Sequence, residues 1–192
     1  MAAKVFDGLF IGNAETSRDI DFLKNNKITR LINVAGDEVQ NLNLNDLTYL
    51  NLKWRDVPDC IVFPQMEDDR ALLDIVTFID SSLRKGLSIL IFSLRGVSRN
   101  ICALSAYLMH KYCWSFQKCY DFTLSRKNDV QINRGFVQQL FALEQRLLLR
   151  RTEKLKYLTD NDDNNSDIIS RDNLRSKGWD PVHIKMIHFH HH

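Results

Sequence analysis

One stretch constrains this chain more than any other. Ser88 to Arg99 reads Ser-Ile-Leu-Ile-Phe-Ser-Leu-Arg-Gly-Val-Ser-Arg. Ser88 to Phe92 is a short apolar run rich in β-branched and aromatic residues, with the length and composition of a buried strand. A loop containing Gly96 follows. Ser98 and Arg99 then lead into Asn100 to Tyr112, which reads as a helix. A strand, a tight glycine-bearing loop and a helix N-terminus make an anion site. The loop amides and the helix dipole converge on one point, which favours a phosphate. Arg99 adds a planar fork that can hold two phosphate oxygens.

The loop also carries a resemblance. Ser93, five intervening residues and Arg99 have the spacing of the Cys-x5-Arg loop of the protein tyrosine phosphatases. Gly96 and Ser98 fall where the dual-specificity branch has Gly and Ser. The family's His-Cys pair is Phe92-Ser93 here, so the loop looks like that of the catalytically inactive STYX-like (MK-STYX-like) group. A second run, Leu9 to Asn13 and then Ile28 to Ala35, is similar to the opening of dual-specificity phosphatase domains. The resemblance covers Phe6 to Leu148. It implies a protein tyrosine phosphatase-like fold, no cofactor and no metal.

The rest of the chain reads compatibly. Phe6 to Ile11 suggests two short strands around Asp7-Gly8. Thr16 or Ser17 is a candidate cap for a helix to Asn25 that turns Ile20, Phe22 and Leu23 inward. Arg30 to Val34 and Thr48 to Leu52 read as strands, with a polar, asparagine-rich loop between them. Lys53 to Pro64 is a loop punctuated by Pro58 and Pro64. Leu72, Ile75, Val76, Ile79 and Leu83 recur at helical spacing and define a helix from Met66 to Lys85. Two further helices are expected, Ser115 to Ser125 and Arg134 to Arg151. Strands that alternate with helices argue an α/β domain with a central mixed sheet flanked by helices. The loop then lies at the carboxyl end of a central strand, where open sheets bind ligands. Residues 1–151 form the expected domain and 152–192 a largely flexible extension. Asp160 to Asp167 is too acidic and too simple to assign structure. The closing His-Phe-His-His-His run is weakly metal-competent or no more than a tag-like composition.

In the family the reaction takes a thiolate, an arginine and an acid. A loop cysteine is ionised by amides and dipole and attacks phosphorus, and an aspartic acid protonates the leaving oxygen. A serine hydroxyl is far less acidic and requires a positioned base, and no histidine adjoins Ser93. No catalytic residue is therefore expected. Ser93 is a degenerate nucleophile position, and Asp56, with Asp59 as its competitor, is a vestigial general acid or an ordinary loop carboxylate. Phosphate binding is a separate matter. The backbone of Ser93, Leu94, Arg95, Gly96, Val97, Ser98 and Arg99 needs no particular side chain to offer its amides, and Arg95 adds charge at the mouth. The alternative is a loop that is only a fold element. The resemblance assigns loop support to Phe92 and to Asn133, in an Asn-x-Gly-Phe run before the last helix. Ser98 is expected to cap the helix that follows the loop.

Composition narrows the partners. A net charge of +2 argues against nucleic acid, and no run is long and apolar enough for a membrane span. Cys60, Cys102, Cys113 and Cys119 form no Cys-x-x-Cys pair, as free thiols of a reducing compartment would. The expected setting is the cytoplasm, with the nucleus as the other candidate. The expected partners are phosphorylated proteins, or kinases and phosphatases of signalling pathways. Two other functions remain open: an active phosphatase whose Cys was changed to Ser at 93, and a scaffold with an inert loop. Arg146, Arg150, Arg151, Lys154 and Lys156 read as a solvated basic face of the last helix, with a docking patch for an acidic partner as the alternative.

Overall fold

The computed structural model describes residues 1–64 and 69–162, with side chains to residue 160. Strands β1 (Ala3–Phe6) and β2 (Leu9–Gly12) form an antiparallel hairpin. Gly8 makes the turn at φ +83°, the left-handed region that side chains disfavour. Helices α1 (Ala14–Arg18) and α2 (Ile20–Asn25) follow, then β3 (Ile28–Asn33), β4 (Thr48–Asn51), α3 (Arg70–Arg84) and β5 (Ser88–Phe92). Helices α4 (Arg99–Tyr112), α5 (Phe116–Arg126) and α6 (Arg134–Asp162) complete the described chain. The sheet order is β1-β2-β5-β3-β4, parallel except for the first pair. This is the mixed α/β architecture expected.

β5 is paired on both edges, by β2 and β3, and apolar clusters cover both of its faces. The pleat then sorts side chains by parity. Ile89 and Ile91 enter the larger core with Leu9, Ile11, Ile32, Ile101 and Leu104. Leu90 and Phe92 enter a smaller core with Phe10, Leu23, Ile28 and Leu31. Phe92 is fully buried there. A fully buried phenylalanine contributes about 1.5–3 kcal/mol by leaving water. A histidine at this place would have to satisfy its ring nitrogens among apolar neighbours.

Several boundaries differ from the sequence reading. The stretch before Asn25 is two short helices. Asn13 caps the first, with its side chain accepting from the Thr16 amide at 3.0 Å, and Asp19 caps the second through the Phe22 amide at 3.0 Å. Thr16 and Ser17 lie inside α1 and are not caps. Ile20 is 41% exposed because it opens α2 on its outer side; Leu23 alone is deeply buried. The start expected for α3 falls partly on Gln65–Asp68, outside the described residues, and α3 itself begins at Arg70. α6 runs past Arg151 to Asp162, so Asp160, Asn161 and Asp162 are helical. The rest of that acidic run lies outside the described residues. The compact unit that holds the sheet is Met1–Leu148.

Candidate functional site

β5 delivers the loop Ser93–Ser98 to the carboxyl end of the sheet, and α4 begins at Arg99. The loop sits on the start of α1. Ser93 donates its amide to the Gly12 carbonyl at 3.4 Å, and the Ala14 amide donates to the Leu94 carbonyl at 3.2 Å. Gly96 has φ +72°, and a Cβ there would lie 2.7 Å from the Gly12 carbonyl oxygen. Only glycine fits that approach.

Ser93 is 2% exposed. Its Oγ donates to Asn100 Oδ1 at 3.1 Å and accepts from the Gly96 amide at 3.2 Å. Asn100, fully buried, donates through Nδ2 to the carbonyls of Gly12 and Gly96, both at 3.2 Å. One asparagine thus ties strand end, loop and helix start together. The amides of Leu94, Arg95, Val97 and Ser98 have no hydrogen-bond partner among the described residues. Successive unclaimed amides at a helix N-terminus form an anion-binding nest. Leu94 and Arg95 are exposed at its mouth.

Arg99 is 3% exposed and held from the far side. Its Nη1 donates to the Trp54 carbonyl at 2.9 Å and the Ala35 carbonyl at 3.5 Å, and its Nη2 to Glu38 Oε2 at 2.8 Å. Its Nε is buried without a partner. An unmet buried donor costs about 1–3 kcal/mol, so the site leaves one guanidinium contact to be made.

The segment before α3 closes the other side. Asp56 Oδ1 accepts from Asn133 Nδ2 at 2.9 Å. The Asn133 amide donates to Ser98 Oγ at 3.1 Å, and Asn133 Oδ1 accepts from the Phe136 amide at 3.0 Å. Asn133 therefore joins the acid-bearing segment, the loop and the start of α6. Ser98 makes no side-chain cap to α4; its hydroxyl serves Asn133 instead, because the chain around Gln131 crosses directly behind the loop, with the Gln131 amide 2.8 Å from the Val97 carbonyl. Trp54 packs edge-on against Phe63 and Phe136, with ring centroids 5.4 and 6.4 Å away. Gln139 accepts from the Val62 and Phe63 amides and donates to the Cys60 carbonyl. Arg146, expected on a solvated face, is mostly covered and paired with buried Asp69 at 3.2 Å.

No thiol enters the loop. Cys102 sits one turn into α4, fully buried; burial first, then the carboxylate of Asp56 and Cys60, push its thiol well above the ordinary range. It stays protonated and unreactive. Cys113 ends α4 in a left-handed conformation. It stands one helix length, roughly 20 Å at 1.5 Å per residue, from the loop. The four cysteines are free, and no helix among the described residues is long and apolar enough to cross a membrane.

Sequence reasoning brought Ser93–Arg99, Asp56 and Asn133 to one place. It missed Asn100, Glu38 and the Trp54 carbonyl. An asparagine directly after the loop arginine was a usable signal for the first. Glu38 is remote in sequence and gave none.

The sequence and the fold match known proteins. The family described as dual specificity phosphatase, catalytic domain, matches residues 9–146. The chain belongs to that family. Among curated relatives, the dual specificity protein phosphatase 1B of Arabidopsis thaliana is 29% identical over 150 residues, which cover 74% of this chain and 81% of that protein. The MAP kinase phosphatase with leucine-rich repeats protein 1 of Dictyostelium discoideum is 31% identical over 143 residues. A probable rhodanese domain-containing dual specificity protein phosphatase of the same organism is 30% identical over 152. The matches cover 74% and 78% of this chain but only 16% and 30% of those two proteins. The crystal structure of the human tyrosine phosphatase-like serine/threonine/tyrosine-interacting protein superposes with a TM-score of 0.70 at 24% identity, over 77% of this chain and 97% of that one. The likeness shows a shared fold.

Proposed function

We propose that this chain is a catalytically inactive dual-specificity phosphatase homologue that binds phosphorylated proteins through the degenerate loop Ser93–Arg99. The observation that carries the reading is the state of residue 93. Its hydroxyl is buried between the Gly96 amide and Asn100, with no histidine or other base among its hydrogen-bond partners. Chemistry that needs an ionised nucleophile has no source of one. The anion nest and the unpartnered Arg99 Nε speak for retained phosphate recognition. The neutral hydroxyl also removes the charge that a thiolate would set against a dianionic ligand. Asp56, engaged by Asn133, acts in this reading as a structural carboxylate. The partners are phosphoproteins of signalling pathways, read in the cytoplasm or nucleus.

The second reading, a scaffold with an inert loop, is favoured by one observation: Arg99 already has Glu38 and two carbonyls as partners. Calorimetry with a doubly phosphorylated Thr/Tyr peptide separates the two. Saturable binding that Arg99→Ala abolishes supports phosphate reading; binding of protein partners that Arg99→Ala leaves intact supports the scaffold. The third reading, an active enzyme bearing Ser for Cys at 93, is opposed by Phe92, since a substrate trap would leave the preceding histidine in place. A native gene sequence that encodes cysteine in place of Ser93 would revive it.

A further inference from the structure

The two edges of the sheet are finished differently. At β1 the edge is closed. Its pairing slips between Lys4 and Phe6, and Arg126 of α5 donates Nε to the Val5 carbonyl at 3.2 Å while its guanidinium lies 4.5 Å from the Phe122 ring centre. Irregular pairing and a covering element protect a strand edge from further pairing. β4 has neither protection among the described residues. It pairs with β3 alone, in parallel and without a shift. The Leu52 amide donates to the Asn33 carbonyl at 2.8 Å, so the even-numbered residues turn their main-chain groups to β3. By alternation, the amides and carbonyls of Tyr49 and Asn51 point to the open side. They have no hydrogen-bond partner among the described residues.

The open edge is held in place from both faces. Leu50 packs on the larger core and Tyr49 on the smaller. The Tyr49 phenol accepts from the Leu42 amide at 3.1 Å, and Asn51 Oδ1 accepts from Asn41 at 2.8 Å. Cations stand at both ends. Arg30 lies against the start of the strand and donates to Thr48 Oγ1 at 2.7 Å; Lys53 and Arg55, both exposed, follow its end. Asp46 precedes the strand, and Asp37 is paired with Lys53 across 3.6 Å. Arg30 and Arg55 have no carboxylate partner among the described residues.

We propose that the β4 edge is a docking site for an extended acidic segment of a partner protein, which adds to the sheet as a further strand. The N–H and C=O groups of Tyr49 and Asn51 supply the main-chain bonds, and the flanking cations select carboxylates over other side chains. The same charges disfavour a second copy of this chain. Antiparallel self-pairing sets the cations at the start of one strand against those at the end of the other. The site is separate from the phosphate loop and stands whether or not that loop binds phosphate.

The test is amide hydrogen exchange and titration, read by NMR on the intact protein. The probe is a synthetic peptide of roughly ten residues that alternates glutamate with valine or threonine. The same peptide with lysine for each glutamate is the control. The expected result is saturable binding that slows exchange at the Tyr49 and Asn51 amides and leaves Leu50, already bonded to β3, unchanged. The lysine peptide is expected to bind at least about tenfold more weakly, with the difference shrinking in high salt. Asn51→Pro removes an outward N–H without touching the β3 ladder, a place where an edge strand tolerates proline. It is expected to weaken the acidic peptide roughly tenfold, and Asn51→Ala less than about threefold. Arg55→Glu changes an exposed side chain and is expected to narrow the preference between the two peptides, which decides the matter even where Asn51→Pro fails to fold. Unchanged exchange at Tyr49 and Asn51, equal affinity for the two peptides, or full binding by folded Asn51→Pro overturns the proposal. Slowing of the same amides with rising protein concentration and no peptide assigns the edge to a second copy and overturns it as well.

Discussion

Two segments meet at the carboxyl end of the sheet, and they have kept different things. The β5–α4 loop retains its backbone geometry and its arginine while its nucleophile position holds a serine. The segment from Trp54 to Phe63 retains a carboxylate at Asp56 but binds it to Asn133. In the first the frame stands with a serine where the family has its cysteine; in the second the carboxylate is built into the frame. The two are stapled to the same elements, α4 and the start of α6, by main-chain or buried amide contacts. Glycine and asparagine sustain the backbone geometry of both segments.

The comparison is broken most severely at its two glycines. A Cβ on Gly135 would lie 1.9 Å from the Pro58 carbonyl oxygen. Gly135→Ala is expected to cost about 3 kcal/mol through this overlap, a drop in Tm of roughly 6–12 °C for a domain of this size, with phosphate binding of the surviving folded protein retained. Gly96→Ala is expected to cost about 2–3 kcal/mol, from its positive φ and its clash with Gly12, and to abolish phosphate binding. Thermal melts and calorimetry on both variants show whether the loop and the acid-bearing segment are separable. Asn100→Ala comes next. It strands two carbonyls and the Ser93 hydroxyl, at about 2 kcal/mol in denaturant titration. Ser93→Ala removes only the hydroxyl's two bonds, about 1 kcal/mol, and is expected to leave phosphate affinity within a few-fold.

The smallest effect is one of pH. Asp129 pairs with buried Lys127 behind the loop, and the Lys127 hydrogen bond holds its carboxyl below the usual range against a lesser desolvation. A carboxyl lowered in the folded state adds stability that is fully present above its unfolded value, about 3.9, and is lost as pH falls through the folded value. Asp129 is half exposed, so the gain is under about 1 kcal/mol. Asp129→Asn should therefore melt lower than the unaltered protein at pH 7, with the difference closing as pH falls through the lowered folded-state value.

Much of this was legible in the chain. Ser88–Phe92 declared itself a central strand because Ile89, Leu90, Ile91 and Phe92 are apolar without alternation, and the loop spacing placed Arg99 at a helix start. Local signals failed where a neighbour decided the outcome. Ser98 looks like a cap by type, but Asn133 claims its hydroxyl. Arg146 looks solvated by composition, but Asp69 reaches it from 77 residues away. Asp160–Asp162 looked too acidic for order, yet a helix already running carries through them, because propagation costs far less than nucleation. Glu38 sits in a polar loop and becomes informative only once the fold sets it against Arg99.

The central claim is a phosphate loop that binds and does not turn over. The most direct test presents one phosphotyrosine peptide to the unaltered protein in two assays, calorimetry for binding and phosphate release for hydrolysis. The account predicts saturable binding with no release above buffer. Release at a rate near that of active phosphatases, or no binding at all, would contradict it.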